Sequence, residues 1–190
     1  MSQANDFNVL YVDMDGVLSD WAGGFLNFVN KRLGTSFKHA DITEYDMPKA
    51  LGLDTNLIIE YGNHPKSFSV EWVPILPGAL EGFRYLMSLA ERGDFELNIV
   101  TSPFYTSRTC EAQKRNWVEH YFPDFNQKFI WFGCNKHRLV GSAIIDDKPS
   151  TIEKIRDTKG GMRPLLFDQP WNQGVRGVER VDWDFIMSFI

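Results

Sequence analysis

Apolar positions recur along the chain as short unbroken runs. The first, Val9-Leu10-Tyr11-Val12, stops at two aspartates one residue apart, Asp13-Met14-Asp15, followed by Gly16. Apolar residues without polar alternation fit a strand buried on both faces, so the aspartates fall where that strand leaves the sheet. Four later runs have the same character: Phe95 to Val100, Lys128 to Phe132, Ala143 to Ile145 and Pro164 to Phe167. Between them the apolar residues change to helical spacing. Leu80, Phe83, Met87 and Ala90 predict a helix from Gly78 to Arg92 stopped by Gly93, and a second helix is expected from about Thr109 to Tyr121, ahead of Pro123. Strands alternating with helices predict an α/β protein, a doubly wound parallel sheet covered on both faces.

The interval from about Leu18 to Phe95 is much longer than a crossover helix requires, since ordinary loops run to about 4–6 residues. Within it, Trp21 to Leu33 has helical character with Gly34 as its stop, Asp54 to Tyr61 follows an Asp cap, and Pro48, Pro65, Pro74 and Pro77 punctuate the rest. Residues 19–75 are therefore expected to form a small helical cap inserted after the first strand, with residues 1–18 and 76–190 as the core domain.

At 190 residues and 43% hydrophobic content, the chain can bury one core and is too short for two full domains. No apolar run approaches the roughly 20 residues of a membrane span. Met1 to Phe7 lacks the basic start and apolar stretch of a signal peptide, so a cytoplasmic location is expected. Cys110 and Cys134 show no zinc-ligand or disulfide-framework spacing and are expected to be reduced thiols. A net charge of −5 without a basic cluster argues against a nucleic-acid polymer as partner, but not against one small phosphorylated molecule.

Four short motifs stand at or just beyond predicted strand ends: Asp13-x-Asp15, Thr101-Ser102, Lys136 and Asp146-Asp147. Open parallel sheets bind ligands along that edge. Taken singly, each has an ordinary explanation: a turn after a strand, a helix cap, a solvated surface lysine, a helix start. Their joint occurrence in order argues for convergence. One aspartate can attack phosphorus, and a second acid can protonate the departing oxygen and then activate water. Hydroxyls and a lysine can hold phosphate oxygens. Adjacent acids after the buried run Ala143-Ile144-Ile145 repel one another in a closed site, which a hard cation such as Mg²⁺ relieves.

These motifs together resemble those of the haloacid dehalogenase-like phosphohydrolase superfamily, and in detail the 5'(3')-deoxyribonucleotidase family. Asp13-Met14-Asp15-Gly16-Val17-Leu18 is similar to the first motif, Ile99-Val100-Thr101-Ser102-Pro103 to the second, and Ile144-Ile145-Asp146-Asp147-Lys148-Pro149 to the fourth; Trp117-Val118-Glu119-His120-Tyr121-Phe122 and the position of Lys136 also fit. The resemblance spans Val9 to about Asp168. It implies Asp13 as nucleophile and Asp15 as general acid and base. It further implies Mg²⁺ held by the carboxylates of Asp13 and Asp146 and the backbone carbonyl of Asp15, with Asp147 orienting metal-bound water or the neighbouring lysine. Thr101, Ser102, Lys114 and Lys136 would bind the phosphate. Relatives suggest a homodimer. One departure is visible, because Lys148 stands where these relatives often carry arginine, and lysine cannot make arginine's planar two-pronged contact.

The insert carries Trp21, Phe25, Phe28, Tyr45, Tyr61, Phe68 and Trp72, expected for the most part to pack its own core. Trp21, six positions after Asp15, and Phe104, after Thr101-Ser102-Pro103, are the candidates for facing a nucleobase. Trp117, Trp131 and Trp183 are expected in the core, Arg176 and Arg180 on the surface, and the four histidines without a role. The expected activity is Mg²⁺-dependent hydrolysis of deoxyribonucleoside 5'-monophosphates through an aspartyl-phosphate. Two alternatives stand beside it: a phosphatase of the same superfamily acting on a small sugar phosphate or phosphoglycolate, and a non-enzymatic phospho-acceptor domain of the receiver type. Receivers, however, lack a long insertion after the first strand.

Overall fold

The structure is a computed structural model that describes residues 8–159 and 161–189. The stretch weighed above as a possible signal peptide, residues 1–7, lies outside the described residues. Six strands form one sheet: β1 (Val9–Val12), β2 (Glu96–Thr101), β3 (Ile130–Phe132), β4 (Ala143–Asp146), β5 (Arg163–Phe167) and β6 (Glu179–Val181). Their order is β3-β2-β1-β4-β5-β6, and every neighbouring pair is parallel. The order therefore reverses at β1, which creates a crevice beyond its carboxyl end. Among the described residues seven α-helices lie between and after the strands: α1 (Trp21–Leu33), α2 (Met47–Ala50), α3 (Asn56–Asn63), α4 (Ala79–Glu91), α5 (Cys110–Tyr121), α6 (Pro149–Arg156) and α7 (Trp183–Phe189).

Local chemistry accounts for the element ends. Asp20 caps α1, accepting from the amide of Gly23 at 2.8 Å, and Gly34 closes that helix in the left-handed conformation at φ 69°. On α4 the buried stripe is Ala79, Gly82, Phe83, Leu86 and Leu89. Leu80, Met87 and Ala90 pack only partly, so the face turned to the core is rotated from the expected one. The apolar run Lys128 to Phe132 is half strand, because its first part turns as a short 3₁₀ helix, Gln127–Phe129, before β3 begins. No apolar run announced β6, which carries charged residues at the sheet edge, and α2 and α7 were likewise not anticipated.

The insert between β1 and α4 carries α1, α2 and α3. Its two crossings lie side by side: the amide of Asp20 donates to the carbonyl of Pro74 and that of Leu76 to Leu18, both at 2.8 Å. Buried indoles pin both crossings. Trp183 Nε1 donates to the Val17 carbonyl at 2.9 Å, and Trp117 Nε1 to the Val73 carbonyl at 2.7 Å. A single apolar cluster runs without a break from Trp21, Phe25 and Tyr61 of the insert to Val12, Ile99 and Trp117 of the sheet layer. Trp131 departs from expectation. It is 55% exposed, because β3 is an edge strand and its outward residue meets solvent, where the indole donates to Asn98 Oδ1 at 2.7 Å. Among the described residues no helix is long and apolar enough to cross a membrane, and Cys110 and Cys134 are free thiols.

Candidate active site

Three strand ends meet at the crevice. Asp13 directly follows β1, Thr101 ends β2 and Asp146 ends β4, with the Asp13 amide donating to the Ile145 carbonyl at 2.8 Å. Lys136 arrives from a 3₁₀ turn, Lys136–Arg138, beyond β3. Its ammonium bridges Asp13 Oδ1 at 2.7 Å and Asp146 Oδ2 at 2.8 Å, and the side chain is 4% exposed. A lysine that ordinarily belongs in solvent is thus buried between two carboxylates. Burial alone would lower its pKa, but Asp13 and Asp146 outweigh that and hold it above the usual lysine value.

Asp13, Asp146 and Asp147 present carboxylate oxygens within 4.8 Å of one another, and all three are buried. Burial pushes the Asp13 carboxyl up to about 7, with Lys136 opposing the shift and Asp146 and Asp15 adding to it. Asp147 is also raised well above the usual carboxylate value, first by burial and then by Asp13 and Asp146. Three acids facing one ammonium leave the cluster short of positive charge, and a divalent cation with a taste for carboxylate oxygen fits that deficit. The Asp15 carboxyl stands apart from this cluster. It accepts from Ser19 Oγ at 3.0 Å and from Lys114 Nζ at 2.5 Å.

Lys114, on α5, is fully buried. Its ammonium reaches Asp15 Oδ2, Thr101 Oγ1 at 2.7 Å and the Ser102 carbonyl at 3.0 Å, which accounts for all three of its N–H donors. The lysine anticipated at the phosphate therefore grips the second acid and the second motif together. Gly16 is the position where the turn after β1 demands glycine. Its φ is +77°, and a β-carbon there would stand 2.4 Å from Asp147 Oδ2.

A cavity of about 240 Å³ opens from Asp15, Gly16, Ser102 and Asp147. Its walls include Trp21, Tyr45, Phe68, Phe104 and Trp171. Trp21 stacks at 5.8 Å on Phe68, and Lys148 Nζ lies 4.9 Å from the centre of the Tyr45 ring at the same edge. Phe25 and Tyr61 pack into the core, as expected of insert aromatics. Phe104 seats against Gly62 of α3, where a β-carbon would come within 2.4 Å of the ring. Thr101, Ser102, Lys114, Lys136, Asp146 and Asp147 are thus all brought to the crevice of Asp13 and Asp15, with Trp21 and Phe104 on the cavity wall. Tyr45 and Phe68, expected to pack the insert's own core, line the cavity, and Phe68 is part of the core as well; the segment Gln169–Asn172 was not singled out, although it follows the apolar run Pro164 to Phe167 and so obeys the same strand-end rule. His39, given no role, lies 2.7 Å from Asp20 Oδ1 through Nε2 and packs 5.8 Å from Trp171. Arg180, expected as simple surface charge, pairs with Asp168 at 2.7 Å.

A six-stranded parallel sheet whose switch point gathers these acids has the haloacid dehalogenase-like fold. The chain aligns over 97% of its length with a haloacid dehalogenase-like family hydrolase from Streptococcus pneumoniae, covering 98% of that chain at TM-score 0.56 and 14% identity. A HAD family hydrolase from Deinococcus radiodurans, solved with bound phosphate and sodium, aligns at TM-score 0.52 and 15% identity over 93% of this chain and 91% of that one. Residues 7–190 match the model of the family described as 5' nucleotidase, deoxy (pyrimidine), cytosolic type C protein, and the chain belongs to that family. It is 28% identical over 183 residues to a putative 5'(3')-deoxyribonucleotidase of Bordetella pertussis, covering 92% of this chain and 91% of that protein. Against the human mitochondrial 5'(3')-deoxyribonucleotidase it is 34% identical over 148 residues, covering 73% of this chain and 61% of the relative. The protein is accordingly a phosphoric monoester hydrolase of the nucleotidase type, and the receiver-like alternative falls away.

Proposed function

We propose that this enzyme hydrolyses the 5'-phosphate of deoxyribonucleoside monophosphates with Mg²⁺, through a phosphoryl group carried transiently on Asp13. The observation that supports this most strongly is the aromatic-walled cavity that Asp15, Ser102 and Asp147 line at the edge of the carboxylate cluster, with Trp21, Tyr45 and Phe68 of residues 19–75 in its wall. These residues serve as a cap that holds the base, with Trp21 and Phe104 as its stacking surfaces. Mg²⁺ would be held by Asp13, Asp146 and the Asp15 carbonyl, and when bound it supplies the positive charge that three buried acids and a phosphate dianion lack.

A carboxylate oxygen of Asp13 attacks phosphorus as the bond from phosphorus to the nucleoside oxygen breaks, and Asp15 donates the proton that this oxygen needs. Asp15 then takes a proton from the water that attacks the phosphorylated Asp13. Inorganic phosphate leaves, and both carboxyls return to their starting state. Thr101, Ser102 and Lys136 hold the phosphate oxygens, and Lys114 fixes the Asp15 carboxyl for its two proton transfers. Asp15→Asn is expected to cut turnover at least ~10²-fold, the usual contribution of a positioned acid, with folding and Mg²⁺ binding kept. Near-normal turnover in that variant removes Asp15 from the mechanism.

Substrate class is tested by comparing dUMP and dTMP with ribose 5-phosphate. Stacking on an aromatic contributes roughly 1–3 kcal/mol per base, so kcat/KM for the nucleotides should exceed that for the sugar phosphate by about five- to a hundred-and-fiftyfold. Equal values would favour the sugar-phosphate alternative.

A further inference from the structure

The segment after β5 carries none of the family motifs, yet it touches both acidic loops. Gln169 Nε2 donates to the Gly16 carbonyl at 2.7 Å. Trp171 Nε1 donates to Asp147 Oδ2 at 2.9 Å, and Asn172 Nδ2 donates to the Asp147 carbonyl at 2.9 Å and the Phe167 carbonyl at 2.7 Å. Trp171 is 4% exposed and Asn172 1%, so water is a poor substitute for either donor. Asn172 is itself anchored, its Oδ1 accepting from Arg180 Nη1 at 2.6 Å. The result is a buried three-residue clamp with one arm on the turn after Asp15 and two on Asp147.

We propose that Trp171 is a positioning residue of the active site: its indole N–H fixes the rotamer of Asp147, the buried carboxylate that stands beside the proposed Mg²⁺ holders Asp13 and Asp146. Gln169 and Asn172 hold the backbone on either side of the same contact. An unheld Asp147 carboxylate is free to turn away from Asp13 and Asp146, whose own oxygens are already oriented by Lys136. Asp147 is an outer partner of those holders, and groups that orient the surroundings of a metal site typically change metal affinity 10- to 100-fold when removed. The indole also forms part of the cavity wall, so one residue serves the metal cluster with its N–H and the substrate space with its ring. This inference rests on the Mg²⁺ site proposed above.

Trp171→Phe keeps an aromatic ring at the position while deleting the N–H together with part of the indole's bulk. Calorimetric titration of the metal-free protein with Mg²⁺, in the absence of any substrate, is expected to show a dissociation constant raised about tenfold or more. A purely structural role would instead lower the metal-free melting temperature and leave Mg²⁺ affinity alone. Unchanged Mg²⁺ affinity in the folded variant overturns the proposal and leaves the functional reading intact. Absence of Mg²⁺ binding by the wild type refutes both, while slow turnover of nucleotides alone refutes only the functional reading. A second measurement needs no variant: the Trp171 indole N–H resonance of the wild-type protein should shift during the Mg²⁺ titration with the calorimetric midpoint, and a resonance that stays in place overturns the proposal.

Discussion

Asp13→Asn is expected to leave no measurable phosphatase turnover in a protein that still folds. The amide is neutral and cannot form the acyl-phosphate, so no compensating group at this position restores the first step. Its shape is nearly that of the acid, and its oxygen can still accept from the Met14 amide and from Lys136, as Asp13 Oδ1 does at 2.7 Å in each case. A second consequence follows from the ionisation of Asp13. In the unfolded chain this carboxyl ionises near 3.8, and in the metal-free fold burial chiefly pushes it up to about 7. Between those values the folded protein keeps a proton that the unfolded chain has lost. The stability tied to this group is therefore complete below about pH 3.8 and is lost as pH rises towards 7. Asparagine has no such proton, so melting temperatures recorded in chelator between pH 4 and 7 should fall less steeply for the variant than for the wild type. A residual slope should persist, because Asp147 is raised in the same direction. Identical slopes would show that Asp13 ionises in the fold much as it does in the open chain.

Lys136→Met is expected to produce the largest loss of stability of any single change at the site. The ammonium lies between Asp13 and Asp146, and removing it leaves two buried carboxylates without their counter-charge. Breaking a buried pair from one side typically costs about 3–5 kcal/mol. Urea unfolding in chelator should show a loss of that size, and Mg²⁺ should restore part of it by supplying positive charge to the same oxygens. A loss below about 1 kcal/mol, the level of an exposed ion pair, would mean that Lys136 is not confined between the acids as described. Turnover should stay low even in Mg²⁺, since the lysine is also a proposed holder of the phosphate.

Much of this arrangement is legible in the chain, and the reasons differ from element to element. β1, β4 and α1 announce themselves because unbroken apolar runs and a terminal glycine act locally. The strand-end rule then places Asp13, Thr101 and Asp146 at one edge from their order alone. β6 escapes because Glu179 and Arg180 hide an edge strand behind charge, and Trp131 misleads because an indole on an edge strand looks the same in sequence as one in a core. Lys114 exposes another limit: the family resemblance brings it to the site as a phosphate holder, but only the packed α5 turns its ammonium onto Asp15 and Thr101. The clamp of Gln169, Trp171 and Asn172 depends on contacts spanning up to 153 positions, which no local pattern signals.

Mass mapping of enzyme acid-quenched during turnover of dUMP with Mg²⁺ shows whether Asp13 carries the phosphoryl group. A phosphoryl group is expected on the peptide bearing Asp13, absent without Mg²⁺ and absent in Asp13→Asn. Steady turnover with that peptide unmodified, or with the phosphoryl group on another residue, would contradict that assignment.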